Sequence, residues 1–346
     1  MNLENNSNID NITHLTFGYK FNKEVELPKN LTHLTFGYNF NQKVNLPEKL
    51  RNLTFGNNFN QKVSLPEKLR NLTFGFYFNQ EVKLPEKITH LAFGSEFNKK
   101  IKLPENLIYL TFGCEFNQEV ELPKKLTHLI FGFNFNQEVS LPEKLTHLTF
   151  GSEFNQEVKL PEKLTHLTFG CDFNQKVELP KNLTHLTFGE DFNKKVELPK
   201  KLTHLIFGFK FNQEVELPEN LTHLTLDYYF DKKIYIPNNI KYLNLDCNNQ
   251  HLVDNLPNSI EKIVLNYNFN LELNNLPNGI KKIIFGNYCY NKELNNLPNS
   301  IEYLELSLYY DKQIFKLPKK LKKIKCYKEY NFIDKLKNND IEVIVY

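Results

Sequence analysis

Residues 141–159 read LPEKLTHLTFGSEFNQEVK, and this stretch recurs along the chain. All sixteen prolines hold its second position. They stand at 28, 47, 66, 85, 104, 123, 142, 161, 180, 199, 218 and 237, always 19 residues apart, and then at 257, 277, 298 and 318, spaced 20 or 21. A fixed period of this length marks a stack of similar supersecondary units, each touching its neighbours, rather than a set of separate domains.

One copy assigns the roles. In Leu145–Phe150 (LTHLTF) the residues Leu148 and Phe150 alternate with His147 and Thr149, the period-two pattern of a short strand with one buried side. Gly151 follows, in a column occupied by glycine eleven times from Gly18 to Gly208, which predicts either a positive φ or a close backbone approach where the strand turns. Later copies carry Asp227, Asp246 and Asn266 there, residues that tolerate the left-handed region. Next come Phe154 and Asn155. The phenylalanine reads as a core knob. The asparagine column (Asn41, Asn60, Asn79, Asn98, Asn117, Asn136, Asn155, Asn174, Asn193 and Asn212) reads as an internal ladder, because an amide can bond backbone groups and the next copy at once. Val158 to Leu160 forms a second extended segment, closed by Pro161. Leu141, Leu145, Leu148, Phe150, Phe154 and Val158 are expected to face inward, and no window shows helical spacing.

Seventeen copies of the strand run from Ile12–Phe17 to Leu321–Cys326, and Ile341–Tyr346 (IEVIVY) makes an eighteenth. The expected fold class is a repeat solenoid, mainly β: about 17–18 rungs of 19–21 residues, a parallel sheet on one face, extended segments on the other and no long helices. Its parts are a polar N-terminal tail (1–10), regular repeats (11–237), and longer divergent repeats with a lysine-rich C-terminal cap (238–346), all in one continuous solenoid.

Composition narrows the function. A net charge of +3 with 24% charged residues gives no global pull toward nucleic acid or membrane, and the two arginines, Arg51 and Arg70, leave little for bidentate phosphate recognition. No run approaches the roughly 20 apolar residues of a membrane helix, and the N-terminus lacks a signal-peptide core. The five cysteines are expected to be free thiols. Cys114, Cys171 and Cys247 share one column, so stacking at about 4.8 Å holds them roughly 14–19 Å apart, beyond disulfide reach. These features predict a cytoplasmic protein.

The chemistry-bearing residues fall in columns. Nine histidines occupy one outward column, six of them consecutive: His128, His147, His166, His185, His204 and His223. Adjacent imidazoles could chelate a metal, but their Thr and Leu neighbours supply no further ligand, so neither metal nor cofactor is expected. Imidazoliums one rung apart repel by about 1 kcal/mol in water and about 3–4 kcal/mol at an effective dielectric near 20, which predicts a broad, coupled titration. A threonine column beside them fits a sheet face. Glu153, Asp172 and Asp191 stack beside Glu190 as a solvated loop edge. Lys319, Lys320, Lys322, Lys323, Lys325 and Lys328 form a charge cluster that reads as a solubilising cap or, alternatively, a polyanion-binding end. The residue after the glycine varies and includes Tyr19, Tyr38, Phe76, Phe133, Phe209 and Tyr228, aromatics suited to carry contact energy. No phosphate loop, nucleophile elbow or HExxH is present, so no catalytic residue is assigned and the protein is expected not to be an enzyme.

The pattern LPxxLTHLTFGxxFNQxV, Leu141 to Val158, resembles the FNIP repeat family, a relative of leucine-rich repeats known chiefly from social amoebae and large DNA viruses of amoebae. Its LPxxLxxLxF part is also similar to the short leucine-rich repeats of bacterial effectors. The resemblance spans about residues 11–331, with a 19-residue repeat against about 22 in the family, which implies tighter turns. It implies a leucine-rich-repeat-like binding scaffold in the cytoplasm of a host cell. The expected partner is a protein, of the host or a second copy, engaged through the histidine and threonine face and the aromatic column, with membrane, nucleic acid and small molecules outside the expectation. The alternative is a structural protein that self-assembles into a particle or filament.

Overall fold

The computed structural model describes residues 11–286, 290–337 and 340–346. The tail at 1–10 and Cys289 lie outside them. The chain forms two compact bodies, Met1–Pro180 and Lys181–Tyr346. The change to longer repeats at 238 falls inside the second.

The first body stacks nine strands: β1 (His14–Thr16), β2 (His33–Thr35), β3 (Asn52–Thr54), β4 (Asn71–Thr73), β5 (His90–Ala92), β6 (Tyr109–Thr111), β7 (His128–Ile130), β8 (His147–Thr149) and β9 (His166–Thr168). Consecutive strands pair in parallel, and like residues meet: His128 opposite His147, Leu129 opposite Leu148, Ile130 opposite Thr149. The second body repeats this with β10 (His185–Thr187), β11 (His204–Ile206), β12 (His223–Leu226), β13 (Tyr242–Leu245), β14 (Lys262–Leu265), β15 (Lys282–Phe285), β16 (Tyr303–Glu305), β17 (Lys323–Cys326) and β18 (Glu342–Val345). Each body is thus a parallel β-solenoid. Two five-residue helices, α1 (Gln250–Asp254) between β13 and β14 and α2 (Ile333–Lys337) between β17 and β18, interrupt the second body, and the 19-residue pattern gave no hint of them.

Two tight turns close each rung. The Leu145 amide donates to the Pro142 carbonyl (3.1 Å) and the Phe154 amide to the Gly151 carbonyl (3.4 Å). Proline supplies the preset φ for the first turn. Between the turns Leu145, Leu148, Phe150 and Phe154 are buried. Leu141 and Val158 are only half-buried, because their segment is extended but forms no strand and leaves one side of each residue open to solvent.

The core is a double column of phenylalanines. Within a rung, Phe150 and Phe154 stack at 3.8 Å; between rungs, Phe131 to Phe150 is 5.7 Å and Phe135 to Phe154 is 6.1 Å, with planes within 9°. Offset stacks of this kind add attraction beyond the area they bury. In the second body tyrosine enters the same column, and its hydroxyl needs a partner: Tyr290 donates to the Leu271 carbonyl (3.1 Å) and Tyr330 to that of Lys312 (2.8 Å). Burial raises the Tyr330 phenol to about 12.

The glycine column answers to close approach and not to positive φ. No described residue, glycine or otherwise, has a positive φ. A Cβ on Gly151 would instead overlap the Gly132 carbonyl, and the same clash recurs from Gly37 to Gly170. The aspartate and asparagine that follow are therefore not left-handed substitutes. The aspartates hold backbone with their side chains, Asp227 Oδ1 accepting from the Tyr228 amide (2.7 Å) and Asp246 Oδ1 from the Asn268 amide (2.5 Å), while Asn266 donates its side-chain amide to Asn244 Oδ1 (2.9 Å). The strands lengthen from three to four residues at β12, where glycine gives way.

At the asparagine column each Oδ1 accepts the amide of the asparagine one rung on: Asn155 to Asn136 and Asn174 to Asn155, both at 3.0 Å. A glutamine one place further donates its Nε2 to the same oxygen, as Gln156 does to Asn136 (3.0 Å).

Gly151→Ala should destabilise the protein by more than about 1 kcal/mol, while Gly18→Ala, whose Cβ meets nothing within 4 Å, should be nearly neutral; urea midpoints compare them. Asn155→Ala strands the Asn174 amide and one bond of Gln175, and should cost about 1–3 kcal/mol by the same measurement.

Candidate interaction face

Strand alternation sends the leucine of each LTHLTF inward and leaves three columns on the sheet's outer side. These are the residue before each strand, mostly threonine; the histidine column; and the Thr16 to Thr168 column. Parallel pairing in perfect register puts each ring on its own copy. His14 and His33 are stacked at 4.0 Å, and Tyr109, His128, His147 and His166 follow at 4.1–4.2 Å, within 23° of parallel. In the second body His185, His204, His223 and Tyr242 stack at 3.9–4.3 Å.

The threonine before each histidine decides how the ring is protonated. Thr146 Oγ1 donates its single proton to the Thr127 carbonyl (3.1 Å), and it also lies 2.9 Å from His147 Nδ1. With its proton spent, the hydroxyl accepts at that contact, so Nδ1 carries the hydrogen and the lone pair of the neutral ring is on Nε2. Thr127 with His128, Thr165 with His166 and Thr222 with His223 repeat the arrangement. An independent contact agrees: the Asn52 amide nitrogen, which can only donate, lies 2.7 Å from His33 Nε2. This hydroxyl column was missed in the sequence, although the invariant Thr before His was its signal.

Burial, and after it the charge of neighbouring imidazoles, holds His33 and His128 below the usual 6.5; burial and His185 do the same for His223. The ring edges lie side by side rather than converging on a point. Among the described residues no group of three or more His, Cys, Asp or Glu is placed to hold a metal ion.

The aromatic turn column divides. Tyr19, Tyr38, Phe76 and Phe133 are exposed, Tyr19 and Tyr38 stacking on each other at 4.8 Å. Phe209 and Tyr228 are half-buried, stacked at 5.6 Å with Tyr229 against their edges. The strands themselves also expose apolar groups that were not singled out from the sequence: Tyr109, Ile130, Ile206 and Tyr242. In the second body His204, Ile206, His223, Tyr242, Lys262 and Val264 line a shallow groove of about 440 Å³.

The lysine cluster is largely paired. Lys322 meets Glu302 (2.6 Å), Lys323 meets Glu342 (3.0 Å) and Lys325 meets Glu305 (2.8 Å). Lys241, Glu261 and Lys281 form a further cross-strand ladder at 3.4 and 2.9 Å. Asp191, part of the acidic stack, is bridged by Lys210 (2.8 Å). Cys114, Cys171, Cys247 and Cys326 are free thiols, and burial pushes Cys247 up to about 11. Among the described residues no helix is long and apolar enough to cross a membrane.

A histidine whose folded value is depressed takes its proton first in the unfolded chain, so folding loses stability as pH falls through 6.5 and the loss is complete below the folded value. Urea midpoints should therefore fall between pH 7.5 and 5.5, and the fall should shrink in His128→Asn, the residue the same column carries at Asn52 and Asn71.

The FNIP Repeat model matches this chain in nine segments between residues 10 and 288. Strands β16, β17 and β18 continue the stack beyond that limit. Among solved structures, CroV588, a giant-virus protein described as a novel circular LRR protein structure, is 42% identical with a TM-score of 0.77. The match covers 93% of this chain and 54% of CroV588, so the chain spans about half the length of that relative. YopM from Yersinia enterocolitica WA-314 is 20% identical with a TM-score of 0.61, over 92% of this chain and 84% of its own, a likeness of fold. Comparison with curated proteins finds no significant match. The nine FNIP segments, on rungs whose glycine, phenylalanine and asparagine columns carry the stack, make this chain a member of the FNIP repeat family, built on a leucine-rich-repeat-like solenoid.

Proposed function

We propose that the protein is a non-enzymatic scaffold that binds another protein, of a host cell or a second copy, through the outer side of its sheet and the exposed aromatics of its turns, in the cytoplasm. The observation that carries this reading is the exposure of Tyr109, Ile130, Ile206 and Tyr242 among polar side chains whose hydrogen bonds are already made. The strand amides and carbonyls are used in the ladder, so a partner meets side chains, and exposed tyrosine and isoleucine offer area at small polar cost. The leucine-rich-repeat-like fold supports the same reading, since such scaffolds commonly bind proteins. The near identity of successive rungs favours a second reading, self-assembly into a particle or filament, because a repeating surface suits a repeating partner.

Two measurements separate these readings. Sedimentation velocity over a wide concentration range should give a constant monomer for the scaffold; mass that grows with concentration supports assembly. Proteins recovered on the immobilised chain should be lost with Ile130→Asp, the exposed last residue of β7, and kept with Glu143→Lys, in a turn. Equal recovery on both variants would remove the sheet from the reading.

A further inference from the structure

The outer face of the first body has a charge pattern that its composition hides. Residues 1–180 contain many aspartates and glutamates, yet none lies in strands β1 to β9 or immediately before one of them. The three columns hold histidine, threonine, asparagine, tyrosine, isoleucine, alanine and the chain's two arginines, Arg51 and Arg70. Carboxylates are confined to the turns and to the second extended segment. A face suited to a cationic partner would carry some of them; this one carries none, and its charge can change only toward positive.

The imidazoles supply that change. Each has its hydrogen on Nδ1, tied to a threonine hydroxyl, so protonation adds a donor and a charge at Nε2 without disturbing the contact that orients the ring. The titratable groups beside His147 are His128 and His166 on the flanking strands, with Tyr109 next beyond His128; from the other columns it is faced by Thr127, Thr146, Thr165, Ile130, Thr149 and Thr168, none of which is charged. No anion on the face offsets the mutual repulsion of these rings when they are protonated. An anion brought by a ligand would.

We propose, resting on the sheet-face reading above, that the outer face of the first body docks an extended acidic polypeptide segment, with uptake of protons by the histidine column on binding. Acidic polypeptide fits better than nucleic acid. Single strands gain much of their affinity by stacking bases on aromatic faces, and here the faces of the rings are covered by one another at 4.0–4.4 Å, leaving edges that hydrogen-bond to carboxylates. Exposed Tyr109 and Ile130 beside the rings give an interleaved segment of acidic and apolar residues somewhere to rest.

The test is fluorescence anisotropy on the full chain with three labelled probes: an extended peptide of alternating glutamate and leucine, the same peptide with glutamine for glutamate, and oligo-dT of equal charge. The glutamate peptide should bind about tenfold more tightly at pH 6.0 than at pH 7.5, with affinity falling as salt rises. The triple variant His128→Asn, His147→Asn, His166→Asn should bind with a much smaller pH dependence, and Thr149→Glu should weaken binding about tenfold at pH 6.0. Far-ultraviolet circular dichroism at both pH values shows that each variant is folded. Equal binding of the glutamine peptide overturns the acidic partner while leaving the sheet-face reading to its Ile130→Asp test. Equal or tighter binding of oligo-dT overturns it in favour of a general polyanion site. A pH profile unchanged in the triple variant, or no binding of the glutamate peptide, overturns it outright.

Discussion

Perfect vertical register is the constraint from which the rest of each body follows. With a 19-residue period and parallel pairing, every strand side chain rests on the equivalent position of the next rung, and each column must be compatible with itself at one rung's spacing. Phenylalanine meets this requirement by offset stacking. Asparagine meets it because its Oδ1 accepts the next rung's amide at 3.0 Å, and glycine because a Cβ would run into the carbonyl of the glycine before it. Few residues satisfy such a rule at positions so close to the axis of stacking, which is why these columns barely vary while the turn residues do.

The second body shows what happens when the rule relaxes. From β12 onward glycine mostly gives way, first to aspartate and asparagine, and every strand but β16 gains a fourth residue. Asp227 and Asp246 add side-chain bonds to backbone amides, while the turn's own backbone bond persists at Asp227 and Asn266. From β13 on, the column before each strand alternates lysine and glutamate joined by cross-strand ion pairs, and the histidine column turns mainly to tyrosine and lysine. The interior admits tyrosine, and the hydroxyls of Tyr290 and Tyr330 find backbone carbonyls. The rungs from β13 to β14 and from β17 to β18 carry α1 and α2, single helical turns held by tertiary packing, since five residues cannot sustain a helix alone.

The outer face combines a rigid backbone with adjustable charge. Threonine hydroxyls bridge each rung to the previous carbonyl and pin the adjacent ring, so the imidazoles keep one tautomer and one orientation. Stacked on their neighbours, His33, His128 and His223 resist protonation because charge is costly both to desolvate and to place beside its own kind. A ligand that brings negative charge relieves the second of these costs, which ties the binding chemistry of the face to its stability.

Proline spacing and the LTHLTF alternation determined by themselves that this is a stack of short parallel strands with a leucine and phenylalanine interior, because hydrophobic periodicity and a fixed repeat report local geometry directly. The outward histidines and the asparagine column were legible for the same reason. Tertiary structure alone decided the meaning of the glycines, since sequence cannot distinguish a need for positive φ from a carbonyl lodged where a Cβ would be. It decided the half-burial of Leu141 and Val158, which depends on what lies across the rung, and the division of the aromatics between exposed Tyr19 and packed Phe209. It also decided the tautomer of the histidines and the pairing of the C-terminal lysines, because the Thr146 bond to the Thr127 carbonyl and the lysine–glutamate pairs join residues 19 or 20 apart, which only the stacked chain brings together.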